Sequence, residues 1–204
     1  QLGNRNDRDR QNAIILAAGG SDISAKSVYS KPKGLFYKDG ETLVERQIRQ
    51  LKEAGIDDIT VVVGYKQEMY FFLADKWGVT LEINPDLKKN NIFSLYCAIK
   101  HLGSTYICNC DNYFPENPFS LYEYNSYHST VIKEDARNEL VIDKNTSGRI
   151  TRIYSCAKRG ECIYGHAYID NKFSERMVKY LYDEIEDFRI SSLFWEEFVY
   201  RHID

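Results

Sequence analysis

The sequence predicts an α/β fold, one domain with a mixed, mainly parallel sheet covered by helices. Three observations point there. Apolar runs rich in β-formers alternate with helical stretches as far as residue 110. The clearest of those helical stretches carries its own start and stop signals. After residue 125 the rhythm changes to short alternating segments that suit antiparallel additions. Strand alternating with helix at this spacing means a parallel sheet buried on both faces.

The elements follow in order. NAIILA (12–17) is a short apolar run bounded by Gly19 and Gly20, hence a buried strand. ETLVERQIRQLKEAG (41–55) is a helix, with Thr42 and Glu45 as a capping box and Val44, Ile48 and Leu51 as its apolar stripe. Gly55 supplies its left-handed stop. DITVVV (58–63) is a second buried strand, 66–77 a helix, 79–83 a strand and 91–101 a helix. TYICNC (105–110) is a strand that runs into Asp111. Segments 129–133, 139–143, 148–154 and 162–169 read as antiparallel strands, and 174–187 and 191–202 as closing helices.

The totals exclude several classes. The 204 residues are 43% hydrophobic and 28% charged, ordinary for a globular chain. A net charge of -3 argues against nucleic-acid binding. The apolar runs are far shorter than the ~20 residues a membrane-spanning helix needs. No charged-then-apolar leader is visible, and the five cysteines (97, 108, 110, 156 and 162) read as reduced structural thiols. The expectation is a cytoplasmic protein. Residues 1–11, QLGNRNDRDRQ, are polar without periodicity and read as a linker or expression remnant. Residues 12–204 then form the domain, expected to be one part of a longer polypeptide.

In open α/β sheets, ligands bind beyond the carboxyl ends of the strands. Three segments arrive there: the loop Ala17-Ala18-Gly19-Gly20, the turn Gly64-Tyr65, and Asp111. The loop has neither the Walker spacing nor the dinucleotide fingerprint. Its glycines still let backbone N–H groups approach an anion.

A better match combines Leu16-Ala17-Ala18-Gly19, a gap, Lys31-Pro32-Lys33, and a capped helix containing Glu45. This pattern resembles the sugar and alcohol phosphate nucleotidyltransferases. Asn90-Asn91-Ile92-Phe93-Ser94-Leu95, Asp111-Asn112-Tyr113-Phe114, Gly165-His166-Ala167-Tyr168 and Leu193-Phe194-Trp195-Glu196-Glu197 narrow the resemblance. Together they look like the bacterial CTP:phosphocholine cytidylyltransferases, over residues 12–204. The resemblance is nearest to nucleotidyltransferase domains fused to a choline-kinase-like domain, which is therefore the expected covalent partner.

The resemblance implies a Rossmann-like, glycosyltransferase-A-type domain that takes CTP and a phosphocholine-like molecule, with Mg²⁺ as cofactor. It implies that Lys33 is the catalytic residue, reaching the α-phosphate and the incoming phosphate. Leu16, Ala17, Ala18, Gly19, Gly20, Gly64, Tyr65, Asn90, Asn91 and Ser94 would bind the nucleotide. Asp111 and Glu196 would hold the metal, with Glu197 as an alternative. Tyr113, Glu139, Tyr168 and Trp195 would surround choline, whose quaternary ammonium has no N–H to donate and is held by aromatic faces and a carboxylate. Lys26 and Lys31 are expected to be surface charges.

Three positions depart from the family pattern. Ile23 stands where an arginine usually follows the loop, Ser192 where an aspartate precedes the closing Leu-x-Trp stretch, and Leu140 where an aromatic residue would complete the cage. They leave open a nucleotide-binding domain with little turnover, serving as a sensor or scaffold. A glycosyltransferase of the same broad fold is a third possibility, disfavoured by Lys33.

Overall fold

The computed structural model describes residues 11–19, 31–155 and 158–202. Its parallel half is built around β1 (Asn12–Ala17), which is flanked on both sides. Next come β2 (Tyr37–Lys38) and β3 (Glu41–Thr42), then α1 (Leu43–Glu53), β4 (Ile59–Val63), α2 (Phe72–Trp77) and β5 (Thr80–Ile83). Helix α3 (Asn91–Cys97) and β6 (Thr105–Asn109) complete that half. β4 and β6 pair with β1 in parallel, and β5 pairs with β4.

β1 shows why the sheet is covered twice. Its side chains alternate between faces. Ala13, Ile15 and Ala17 pack with Val44, Ile48 and Leu51 of α1, while Ile14 and Leu16 pack with Ile92 and Leu95 of α3.

The second half contains β7 (Tyr127–Lys133), β8 (Leu140–Lys144), β9 (Ile150–Ser155) and β10 (Gly160–Ile169). Three helices follow: α4 (Asn171–Glu184), α5 (Phe188–Ser191) and α6 (Trp195–His202). The main sheet runs β5-β4-β1-β6-β10-β8-β9, with β7 on β10. β10 joins the halves: residues 166–169 pair antiparallel with β6, Cys162 pairs with Val141 of β8, and β7 runs alongside both stretches. Its register shifts between Ile163 and Ala167, and Gly165 there has φ +89°. A residue with a Cβ would be strained at that angle, and the added atom would lie 2.9 Å from Ser129 Oγ. The bulge turns the strand at the point where Tyr164 must point into the site.

Helix α1 starts at Thr42, whose Oγ1 accepts from the Glu45 N–H at 3.3 Å. Glu45 does not reach back to the backbone as a capping box would. Its buried carboxylate accepts from the Thr42 hydroxyl, Lys76 Nζ and Trp77 Nε1. Burial alone would raise the Glu45 pKa, but these donors hold it below the usual carboxylate range.

Several boundaries differ from expectation. Residues 66–77 divide into a 3₁₀ turn, Gln67–Tyr70, and α2, because Lys66 is left-handed at φ 49° and delays the helix. The 91–101 helix ends as α3 and a 3₁₀ turn, Ile99–His101. The last helix starts at Trp195 instead of 191, after the separate short α5, and there Glu197 Oε2 accepts from the Phe194 N–H and Asn91 Oδ1 from the Trp195 N–H. Those bonds cap a fresh helix. The β2–β3 hairpin was not expected, although its turn, Asp39-Gly40 with φ 52° and 89°, carries the sequence signal for one. Cys97, Cys108 and Cys110 are free thiols, and Cys156 lies outside the described residues. No helix among the described residues is long and apolar enough to cross a membrane.

Candidate active site

A cleft of about 850 Å³ opens at the carboxyl ends of β1 and β6. Leu16 of β1 and Ala18 and Gly19 of the first loop line it, as do Lys33, Asp111 and, from the other half, Glu139, Tyr164 and Glu196.

Lys33 begins a 3₁₀ turn, Lys33–Leu35, set up by the fixed φ of Pro32 and closed by a bond from the Leu35 N–H to the Pro32 carbonyl, 3.0 Å. The turn is wedged in place. A Cβ on Gly34 would come to 3.0 Å from Cys110 Cβ and Sγ and from the Tyr70 hydroxyl. Tyr70 is fully buried, with its pKa raised chiefly by burial. Burial pushes the Cys110 thiol up to about 12, so it remains neutral. The lysine is thus held against the same stretch of chain that carries Asp111. Lys33 Nζ lies 3.6 Å from Asp111 Oδ2, with both side chains about half exposed, at 52% and 43%. Such a pair adds little to stability and separates readily for an incoming ligand.

The amide-rich wall is mutually braced. Asn84 Nδ2 donates to Ser94 Oγ, and Asn90 Oδ1 accepts from the Asn91 N–H while its Nδ2 donates to the Ser192 carbonyl. Asn91 Oδ1 caps α6. All four residues line the cleft. Capping and cleft-lining therefore coexist in Asn90 and Asn91.

Glu196 is 6% exposed and lines the cleft as well. Its Oε1 lies 3.7 Å from His128 Nε2, and its buried Oε2 has no hydrogen-bond partner. His128 Nδ1 sits 2.8 Å from the Ser129 carbonyl, which only accepts, so that nitrogen carries a hydrogen. Among the described residues no three His, Cys, Asp or Glu side chains gather as a closed metal cage. Two carboxylates facing one cleft, one with an orphaned oxygen, still fit a cation that binds one or two carboxylates and takes its other ligands from water and phosphates. That is the ordinary habit of Mg²⁺.

Other expected positions lie elsewhere. Tyr113 is not a cleft residue: its hydroxyl donates to Asp39 Oδ2 at 2.6 Å, and its ring lies under Lys38 and Arg46. Tyr168 is buried against Tyr106 and Tyr127, because its place on β10 turns it to the α1 face of the sheet. Trp195 is 4% exposed and stacks on His128 at 5.6 Å, beside a separate cavity of about 310 Å³. Ala17 is a core residue facing α1. Gly64 and Tyr65 prop the first loop without lining the cleft: the Tyr65 N–H donates to the Ala18 carbonyl, and a Cβ on Gly64 would meet Leu87 at 2.6 Å. Lys31 is exposed and outside the cleft, and the Ser192 hydroxyl bonds the Phe188 carbonyl. Gly20, Ile23 and Lys26 lie outside the described residues. Conversely, Asn84, Lys89, Asn109, Tyr164 and Phe194 line the cleft without having been singled out. A glycine inside the apparent strand at 162–169 was the available signal for Tyr164, since such glycines mark bulges.

This geometry places a lysine and a carboxylate at the mouth of a Rossmann-like sheet, and the family match makes the fold that of a nucleotidyltransferase. Residues 13–132 match the model of the MobA-like NTP transferase domain, and the chain belongs to that family. It is 31% identical over 188 residues to the choline-phosphate cytidylyltransferase of Streptococcus pneumoniae, spanning 92% of this chain and 82% of that one. It is 30% identical to the 2-aminoethylphosphonate cytidylyltransferase of Lancefieldella rimae, over 96% and 81% of the two chains. The solved structure of the Streptococcus pneumoniae CTP:phosphocholine cytidylyltransferase superposes with a TM-score of 0.82 at 31% identity, covering 94% of this chain and 85% of that chain.

Proposed function

We propose that the chain is a Mg²⁺-dependent cytidylyltransferase, transferring CMP from CTP to phosphocholine or a similar small phosphate or phosphonate and releasing pyrophosphate. One observation carries this: Lys33 and Asp111 meet 3.6 Å apart at the edge of a single large cleft. The similarity to two cytidylyltransferases supports the choice of nucleotide and of acceptor class.

An oxygen of the acceptor phosphate attacks the α-phosphorus of CTP. The bond from that phosphorus to the bridging oxygen breaks, and pyrophosphate leaves with the electron pair. Two polyanions must approach, so catalysis is chiefly positioning and positive charge. The Lys33 ammonium meets the α-phosphate and the incoming oxygen together, moving off Asp111 to do so. Backbone N–H groups at Ala18 and Gly19 face the phosphates; Gly19 has open space where a Cβ would stand. Asn90, Asn91 and Ser94 hydrogen-bond the base and ribose. Asp111 and Glu196 would hold Mg²⁺, which when bound neutralises triphosphate charge. Glu139 faces the acceptor's tail.

The test is pyrophosphate release from each nucleoside triphosphate, with phosphocholine or 2-aminoethylphosphonate as acceptor, with and without Mg²⁺. Release with CTP well above the other three supports the proposal. CTP binding in a thermal-shift assay without release under any condition would favour a nucleotide-binding domain with little turnover. That alternative draws on Ser192, whose short hydroxyl is held by the Phe188 carbonyl outside the cleft.

A further inference from the structure

The cleft is lined by a carboxylate and an aromatic ring, and a cation supplied by the chain itself stands against both from outside the lining. Glu139 and Tyr164 line the cleft. Lys133, the last residue of β7, places its ammonium 2.6 Å from Glu139 Oε1 and 5.0 Å from the centroid of the Tyr164 ring. The Lys133 and Glu139 side chains are only 29% and 32% exposed, so the pair is partly shielded from water. A carboxylate beside an aromatic face is a receptor for an organic ammonium. Here a tethered ammonium already occupies it. Leu140 lines the cleft as well and offers no second ring.

We propose that Lys133 sets the selectivity for the acceptor, admitting small phosphates or phosphonates that end in a primary ammonium and disfavouring those that end in trimethylammonium. The inference rests on the proposed cytidylyl transfer and narrows its acceptor. A primary ammonium has three N–H donors, and Glu139 has a second oxygen, Oε2, that the lysine does not use. The two cations can share one carboxylate through hydrogen bonds. A trimethylammonium has no N–H and depends on ring faces. The Tyr164 ring is engaged by Lys133, and the ligand would bring a second positive charge beside the first without a hydrogen bond to offset it.

The test is calorimetric titration of the full chain, with Mg²⁺ and a CTP analogue carrying a non-cleavable α,β-methylene link. Phosphoethanolamine and phosphocholine, which differ only in the methyl groups, are the ligands. The wild type is expected to bind phosphoethanolamine about tenfold more tightly. Lys133→Met should bring the two within about threefold or reverse them, and Lys133→Arg should keep the wild-type preference. Melting curves for both variants establish that each is folded. Equal affinities in the wild type, or a ratio unmoved by Lys133→Met, overturn the proposal. Pyrophosphate release with CTP itself is measured in parallel. The expected affinity ratio without release sinks the cytidylyl transfer and leaves the selectivity standing; release with a flat ratio does the reverse. Binding of neither acceptor overturns both.

Discussion

Replacing His166 with glutamine should remove a specific part of the protein's acid sensitivity. His166 is 6% exposed, and its ring is surrounded by Tyr106, Phe114, Phe119 and Tyr127 at centroid distances of 5.3–5.9 Å together with the neighbouring contacts of that cluster. Nε2 meets the Tyr127 hydroxyl at 3.1 Å, but Nδ1 has no partner. Burial, helped by the positive field of His128, lowers its pKa from 6.5 to about 4. Above the unfolded value neither state takes a proton, and the neutral ring carries no penalty. As pH falls below 6.5 the unfolded chain binds a proton that the folded one refuses, so stability drops until the folded pKa is reached. At 1.36 kcal/mol per unit, the loss between pH 7.5 and 4.5 is about 2–3 kcal/mol. Urea unfolding of wild type and His166→Gln at both pH values isolates it, because carboxylate contributions cancel in the double difference. The variant should lose less stability on acidification by that amount. Equal losses, or an imidazole NMR titration with an ordinary midpoint, would refute the reasoning.

Other perturbations act on the site and its supports. Lys33→Ala should lower kcat at least about 10²-fold while leaving the melting temperature within a degree or two, as expected for an exposed transition-state cation; undiminished pyrophosphate release would remove Lys33 from the reaction. Gly34→Ala should cost about 1–3 kcal/mol in urea unfolding, because the new methyl meets three atoms at 3.0 Å, and an unchanged midpoint would mean the Tyr70–Cys110 wedge yields freely. Gly19→Ala is the contrast: nothing lies within 4 Å of the new atom, so stability should hold while CTP affinity, read by thermal shift, falls. Thr42→Ala should destabilise by about 1 kcal/mol through loss of the α1 cap, a change that chemical denaturation resolves.

Much of the frame was legible in the sequence. The buried strands β1, β4 and β6 announce themselves as apolar runs, and α1 by its Thr42 start and Gly55 stop. Asp111 could be placed at the site because open α/β sheets bring ligands to the carboxyl ends of strands, whereas Lys33 was legible only through the family resemblance. The aromatic cage could not be read in the same way. Whether Tyr168 faces the site or the core depends on the parity of β10, and a bulge at Gly165 resets that parity. Trp195 and Glu196 are adjacent in sequence, yet on a helix they point about 100° apart, and only the carboxylate lines the cleft. Lys133 ends β7 and Glu139 stands just before β8, and the pair is brought together by the turn between them, where the Glu139 N–H donates to the Ala136 carbonyl and Asn138 is left-handed at φ 64°, a conformation the sequence does not announce.

The strand that joins the two halves also fixes when the protein can become competent. His166 pairs with Cys108, and Tyr168 with Tyr106, across long stretches of intervening chain. A polypeptide emerging from the ribosome can pair β1, β4 and β6 early. The wall bearing Tyr164 exists only after residue 169 has been synthesised and β10 has docked. Such distant pairings are slow to close. A chain that ends before β10 therefore lacks the part of the cleft lining that Tyr164 and Gly165 supply.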